Sequence, residues 1–150
     1  MKTRHEVLIE APRNVVWAAF DNPGNMLRWQ PTLKSYTPQS GTPGEPGATI
    51  ALVYDEKGGE VHMTETITER REPDFMASVY SSDRGKTVIV NHFEDLGDGR
   101  TRWVMYANHF FNGMMKVMSI FRAGAIKRRT DNDMQHFKLL VESRQAELNS

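Results

Sequence analysis

Cysteine is absent from this 150-residue sequence. Disulfide bonds, cysteine-ligated metal sites and thiol nucleophiles are therefore excluded. The sequence also lacks an excess of charge of one sign, because 19 Lys and Arg residues are matched by 19 Asp and Glu residues. Without a basic surplus, nucleic acid is not an expected partner.

Long apolar runs are missing as well. No stretch reaches the roughly 18 apolar residues that a membrane-spanning helix needs, so we expect no integral membrane segment. Residues 1–6 lead directly into a strand pattern and lack the apolar region of a secretory signal, which indicates a cytoplasmic protein. Because no linker, repeat or low-complexity tract interrupts the sequence, we expect one domain over residues 1–150.

What the sequence does contain is a regular succession of strand and helix patterns. Short turns rich in Gly, Asp and Pro separate β-rich segments, which is typical of antiparallel hairpins. The glycine-containing loop at 40–47 is followed by another β-rich segment, and this excludes a phosphate loop, which must open onto a helix. The predicted elements are strands at 5–10, 33–37, 48–55, 60–71, 75–82, 86–96 and 100–111, short helices beginning at Pro12 and at Asn25, and a long helix over 114–148.

Both this order of elements and several local phrases are similar to those of a known superfamily. The phrases are Ile9–Trp17, Asp21–Trp29, Gly44–Gly47 and Thr101–Trp103. They resemble the bacterial polyketide cyclase/dehydrase and lipid-transport-like members of the START and birch-pollen-allergen-like superfamily, SRPBCC. The resemblance implies an α+β helix-grip fold, in which a curved antiparallel sheet of about seven strands wraps around the long C-terminal helix and encloses a cavity for a small apolar ligand.

One acidic residue breaks an apolar strand face. Alternation along 60–71 places Glu65 beside Met63 and Ile67 on the face that would line such a cavity. Desolvation there would raise the pKa of Glu65 and make it a general acid or base, or a hydrogen-bond anchor for a ligand. The alternative is a buried carboxylate paired with an arginine or with the backbone.

Two further strands offer polar or aromatic candidates. On 100–111, Trp103, Met105 and His109 share the face that reads as a cavity wall, and His109 could transfer a proton. The pattern of 86–96 does not decide its register, although an inward Phe93 would bring Asn91 inward too. For each of these residues, an ordinary core role is the alternative.

The candidate catalytic residues are thus two, Glu65 and His109. The histidines at 62, 92 and 109 lie on separate strands with inconsistent facing, so we expect no metal, and we expect no other cofactor. Candidate ligand contacts, including polar-tipped Tyr80 and several apolar residues, are Trp29, Met63, Glu65, Tyr80, Asn91, Trp103, Met105, His109, Val117 and Phe121.

Two segments of the long helix allow alternative readings. The polar segment 127–133 can form the pairs Lys127–Asp131 and Arg129–Asp133 on a solvated face, or can turn Arg128 or Asp131 inward toward Glu65. The apolar segment 114–121 predicts either a cavity lid or a homodimer contact. Nine methionines, with their flexible thioethers, suit an adaptable cavity wall or an irregular core.

Three functions remain open at this point. The leading one is a binding or carrier protein, for which the resemblance implies a lipid, polyketide, isoprenoid or aromatic ligand. The second is a cyclase or aromatase-like enzyme that uses Glu65 as its acid or base. The third is a protein-interaction module similar to the chaperone co-regulators of the superfamily.

Overall fold

The computed structural model describes residues 1–56 and 59–150, except for the side chains of residues 115–121. The predicted turn at 57–59 therefore lies mostly outside the described residues. A short 3₁₀-helix at Pro23–Asn25 precedes the second helix. The strands are β1 (Lys2–Ile9), β2 (Leu33–Ser40), β3 (Thr49–Glu56), β4 (Gly59–Arg71), β5 (Phe75–Ser82), β6 (Gly85–Asp95) and β7 (Thr101–Phe111), and the helices are α1 (Arg13–Phe20), α2 (Met26–Trp29) and α3 (Met114–Leu148).

The strands form one seven-stranded sheet in the order β1-β7-β6-β5-β4-β3-β2. Every neighbouring pair is antiparallel, which confirms the predicted meander. Pairing in the folded chain lengthens two strands beyond their predicted ends. β1 begins at Lys2 because that residue pairs with Asn108 of β7, and β2 continues to Ser40 because Ser40 pairs with Thr49 of β3.

The inner face of the sheet is set by strand alternation. On β6 the inward residues are Thr87, Ile89, Asn91 and Phe93, which resolves the register that the sequence left undecided. On β4 a bulge between Ile67 and Glu69 interrupts the alternation. Bulges bend a strand and redirect the side chains that follow them. Here Arg70 follows the bulge, and most of its side chain is buried.

The C-terminal half of α3 packs into an aromatic core. Phe137 and Val141 have no exposed surface, and the Phe137 ring lies 4.9 Å from the Trp103 ring and 5.3 Å from the Trp29 ring. Burial of each such side chain contributes about 1.5–3 kcal/mol, so this contact fixes α3 against the sheet and α2. No helix in the described part of the chain is both long enough and apolar enough to span a membrane.

Candidate functional site

A cavity of about 160 Å³ lies between the inner face of the sheet, α2 and the middle of α3. Most of its lining is apolar, and a cavity of roughly 150 Å³ is large enough to hold benzene. Flexible thioethers adapt to ligands of irregular shape, and five methionines contribute to the wall. These are Met26, Met63, Met76, Met105 and Met134.

Glu65 reaches this cavity together with Tyr80, which lies directly opposite it on β5. The Tyr80 hydroxyl donates a hydrogen bond of 2.5 Å to Oε2 of Glu65. Burial raises the pKa of Glu65, and the hydrogen bond from Tyr80 only partly opposes this rise. Burial and the neighbouring Glu65 carboxyl raise the pKa of Tyr80 as well. Both pKa shifts favour the protonated forms, and the pair can donate or accept hydrogen bonds on the cavity wall.

His109 forms a second polar group on the wall, with Thr87 as its partner. The hydroxyl of Thr87 lies 2.9 Å from Nδ1 of His109. Burial, with smaller contributions from the N-terminal amine, His5 and Arg129, lowers the pKa of His109 to about 4. The ring is consequently neutral at pH 7. Its other nitrogen, Nε2, is buried and has no hydrogen-bond partner among the described residues.

These two pairs form one continuous line across four strands. Glu65 lies opposite Tyr80, Tyr80 opposite Thr87, and Thr87 opposite His109 in the register of β4, β5, β6 and β7. We call these four residues the polar row. All four line the cavity, so a mostly apolar wall carries an acid, a phenol, a hydroxyl and an imidazole at a single level of the sheet.

The helix side of the cavity carries two ionisable residues, Arg129 and Asp133. Arg129 forms an ion pair with Glu56 of β3, and its guanidinium carbon lies 5.7 Å from the centroid of the Tyr54 ring. The predicted Arg129–Asp133 ion pair is therefore replaced by one that links α3 to the sheet. Burial raises the pKa of Asp133 to about 6, against the opposing effect of Arg129. The Tyr54 hydroxyl donates to Oε1 of Gln30 at 2.7 Å.

The neighbouring Asp131 does not approach Glu65. Its carboxylate accepts from Lys127 at 3.0 Å, as predicted, and lies 2.7 Å from Nδ1 of the buried His5. Burial alone would raise the pKa of Asp131, but hydrogen bonds to His5 and Lys127 lower it. The expectation that Arg128 or Asp131 pairs with Glu65 was wrong, because Tyr80 is the partner of Glu65.

The structure brings most of the predicted ligand contacts together. Seven of them line the cavity, namely Trp29, Met63, Glu65, Tyr80, Asn91, Met105 and His109. Trp103 is an exception, since it has no exposed surface and lies in the core, where its Nε1 donates to Oδ1 of Asn91 at 2.9 Å. It therefore orients a cavity residue rather than facing the cavity itself. The predicted contacts Val117 and Phe121 fall among the side chains that are not described.

Sequence reasoning missed the closure of one end of the cavity. Arg70 donates two hydrogen bonds to Asp21, at 2.5 and 2.9 Å, and a third to the backbone oxygen of Gly44 at 3.1 Å. Asp21 and Gly44 both line the cavity, so Arg70 joins the turn after α1 to the β2–β3 loop at that end. The bulge between Ile67 and Glu69 precedes Arg70, and no local sequence signal indicated that bulge.

Comparison with known proteins agrees with this architecture. Residues 1–142 match the family model described as polyketide cyclase / dehydrase and lipid transport. Among curated proteins, none matches the sequence at a significant level.

Solved structures share the fold at low sequence identity. The chain is similar to the Zhui aromatase/cyclase from Streptomyces sp. R1128, with a TM-score of 0.82, 14% identity and coverage of 96% of this chain and 94% of that one. Ara h 8.0201 has a TM-score of 0.75 and 15% identity, with coverage of 95% of this chain and 98% of that one. TTHA0849 from Thermus thermophilus has a TM-score of 0.75 and 14% identity, with coverage of 100% of both chains. These likenesses confirm the predicted helix-grip fold, and at such identities they carry the fold alone.

Proposed function

The chain belongs to the polyketide cyclase / dehydrase and lipid transport family, and we propose that it binds one small, largely apolar molecule in the cavity between the sheet and α3. The observation that carries the proposal is the cavity itself, which combines a mostly apolar wall with a few convergent polar groups. That combination is typical of small-molecule sites, where apolar area provides affinity and polar groups fix orientation.

The size of the cavity narrows the ligand class. At about 160 Å³, it suits a compact molecule such as one substituted aromatic ring or a short isoprenoid. A long acyl chain would need space beyond it. Bound in this position, the ligand would contact methionine side chains on several elements and the polar row on the sheet.

Native mass spectrometry of freshly purified protein, followed by solvent extraction, tests this function. The matched variants are Ala107→Phe, which fills the cavity from the inner face of β7, and Asn108→Phe, which adds the same ring on the opposite face. We expect wild type and Asn108→Phe to retain an apolar molecule at one per chain, and Ala107→Phe to lose it while keeping its circular dichroism spectrum. Retention by Ala107→Phe would contradict the proposal, since the molecule would then lie elsewhere.

A second function is favoured by one specific observation, the partly buried hydrogen bond between Tyr80 and Glu65. A carboxyl whose pKa is raised keeps its proton to a higher pH and can donate that proton to a departing oxygen, and its conjugate base can accept a proton from carbon. An acid–base reaction on the bound molecule, such as cyclisation with loss of water, fits this pair.

The extracted molecule distinguishes a binding protein from an enzyme. It is incubated with wild type, with Glu65→Gln, and with Glu69→Gln, which removes an exposed carboxylate from the same strand. Catalysis predicts a mass change with wild type and with Glu69→Gln, and none with Glu65→Gln although that variant still binds. An unchanged mass in all three samples would exclude catalysis on this molecule and leave the binding function.

A further inference from the structure

We propose that the ligand carries two polar groups, one at each end of an apolar ring or short chain, with one group bound by Glu65 and Tyr80 and the other by Nε2 of His109. This inference rests on the proposed binding function and adds the chemical class of the ligand. It also makes His109 a residue that selects ligands, in addition to any role of Glu65.

The separation of the two ends follows from the register of the polar row. Glu65 and His109 are three strands apart, and strands are spaced by about 4.8 Å, so their backbones lie roughly 14 Å apart along the sheet. Both side chains line the same cavity, so a ligand bound at both ends would lie along the polar row. Between the two ends, Thr87 already uses its hydroxyl on His109.

Apolar residues border the row on the side nearer the aromatic core. Two residues from the row along the inner face of their strands lie Ile67 on β4, Ile89 on β6 and Ala107 on β7, and all three line the cavity. A ligand lying along the polar row would therefore place its apolar body against these residues and its ends against polar groups.

Nε2 of His109 has no hydrogen-bond partner among the described residues, and this observation favours a second polar group on the ligand. If Nδ1 donates to Thr87, then Nε2 is a bare acceptor; if Nδ1 accepts from Thr87, then Nε2 carries the proton and must donate. In both tautomers, a buried group without a partner costs about 1–3 kcal/mol. A ligand hydroxyl can satisfy either tautomer, because it both donates and accepts.

The charges around the cavity favour neutral ends over anionic ones. Of the cations at the wall, Arg129 is paired with Glu56, and nearby Arg70 is paired with Asp21. His109 is neutral at pH 7, whereas Glu65 and Asp133 are acids. Among the described residues of the wall, no unpaired cation is available for a carboxylate. Hydroxyl or carbonyl groups are thus the ends that fit.

A matched set of four compounds tests the inference. Ethylbenzene has neither polar end, 4-ethylphenol and 2-phenylethanol have one each, and 4-(2-hydroxyethyl)phenol has both. Affinities are measured by isothermal titration calorimetry at pH 7. With wild type we expect each added hydroxyl to tighten binding about threefold to tenfold, as one net hydrogen bond does.

Variants of His109 locate the second end. His109→Leu should abolish the advantage of the two-hydroxyl compound over the better one-hydroxyl compound, whatever the change in the affinity for ethylbenzene itself. His109→Gln, whose amide both donates and accepts, should keep part of that advantage. His62→Leu, which removes an exposed histidine from the outer face of β4, should behave as wild type.

Failure of the inference and failure of the proposed function give different results. If ethylbenzene binds but the second hydroxyl brings no gain, or if the gain persists in His109→Leu, the two-ended ligand is refuted and the apolar site stands. If none of the four compounds binds wild type, the proposed function itself fails.

Discussion

The hydroxyl of Tyr80 lies 2.5 Å from Oε2 of Glu65, across the pairing of β4 with β5. Among the described residues, neither has an oppositely charged partner there, so the contact relies on a hydrogen bond rather than on an ion pair. Because folding raises the pKa of Glu65, the contribution of this residue to the free energy of unfolding depends on pH. That dependence makes the site accessible to stability measurements even before a ligand is known.

Glu65→Gln should change the pH dependence of stability. Because the pKa of Glu65 is raised above about 4.5 in the folded protein, the native state holds a proton that the unfolded chain has released, and wild type loses stability as pH rises above that value. The Gln variant has no such loss and can still accept from Tyr80. Urea denaturation at pH 4 and pH 8 should show the variant gaining relative to wild type at pH 8. An equal difference at both pH values would contradict this expectation.

His109→Leu should show a dependence of opposite sign. The pKa of His109 falls from 6.5 to about 4 on folding, so the unfolded chain binds a proton between these values that the folded protein refuses. Wild type therefore loses stability as pH falls from 6.5 to 4, whereas His109→Leu loses less. Denaturation at pH 7 and at pH 4.5 measures this, with His62→Leu as the surface control. A wild-type loss no larger than that of His109→Leu would refute a buried neutral ring.

Asn91→Leu should destabilise the fold through Trp103. The substitution leaves the indole N–H of Trp103 without its acceptor in a fully buried position, and an unsatisfied buried donor costs about 1–3 kcal/mol. The matched control is His92→Leu, which places the same side chain one residue later on the outer face. Urea denaturation gives both free energies of unfolding. Equal losses in the two variants would show that the hydrogen bond is not what stabilises this part of the core.

Asp21→Asn should cost more stability than the chemically identical change at Asp98. Asp21 accepts two hydrogen bonds from the sparsely exposed Arg70, whereas Asp98 pairs with Arg100 on the surface. We expect a loss of about 1–3 kcal/mol for Asp21→Asn and a clearly smaller loss for Asp98→Asn, measured by denaturation. Equal losses would mean that the contact at the end of the cavity is no stronger than an ordinary surface ion pair.

Periodicity was sufficient to predict the elements of the fold. The bounds of β5 and α3 agree with the predicted 75–82 and 114–148, because turn residues or Gly113 mark their ends and no proline interrupts α3. Periodicity could not predict which face of β6 points toward the cavity. Its outer face also carries partly buried Val88 and Val90, so both faces have apolar residues and alternation alone is ambiguous.

The patterns of single strands predicted individual residues of the site, and seven of the ten predicted contacts line the cavity. Glu65 stood out as an acid between Met63 and Ile67. Its relation to Tyr80, Thr87 and His109 depends on cross-strand register, which the sequence of a single strand does not contain. Arg70 was missed for a similar reason, since the bulge that redirects it arises from pairing with β5.

Methionine methyl NMR tests the central claim, a ligand site inside the cavity, most directly. With ¹³C-methyl-labelled methionine, 4-ethylphenol should shift the methyl signals of the cavity residues saturably and leave Met114, which is 80% exposed, unchanged. In Ala107→Phe the shifts should disappear. The cavity residues are Met26, Met63, Met76, Met105 and Met134. Unchanged cavity signals at millimolar 4-ethylphenol, or equal shifts at Met114, would contradict a binding site between the sheet and α3.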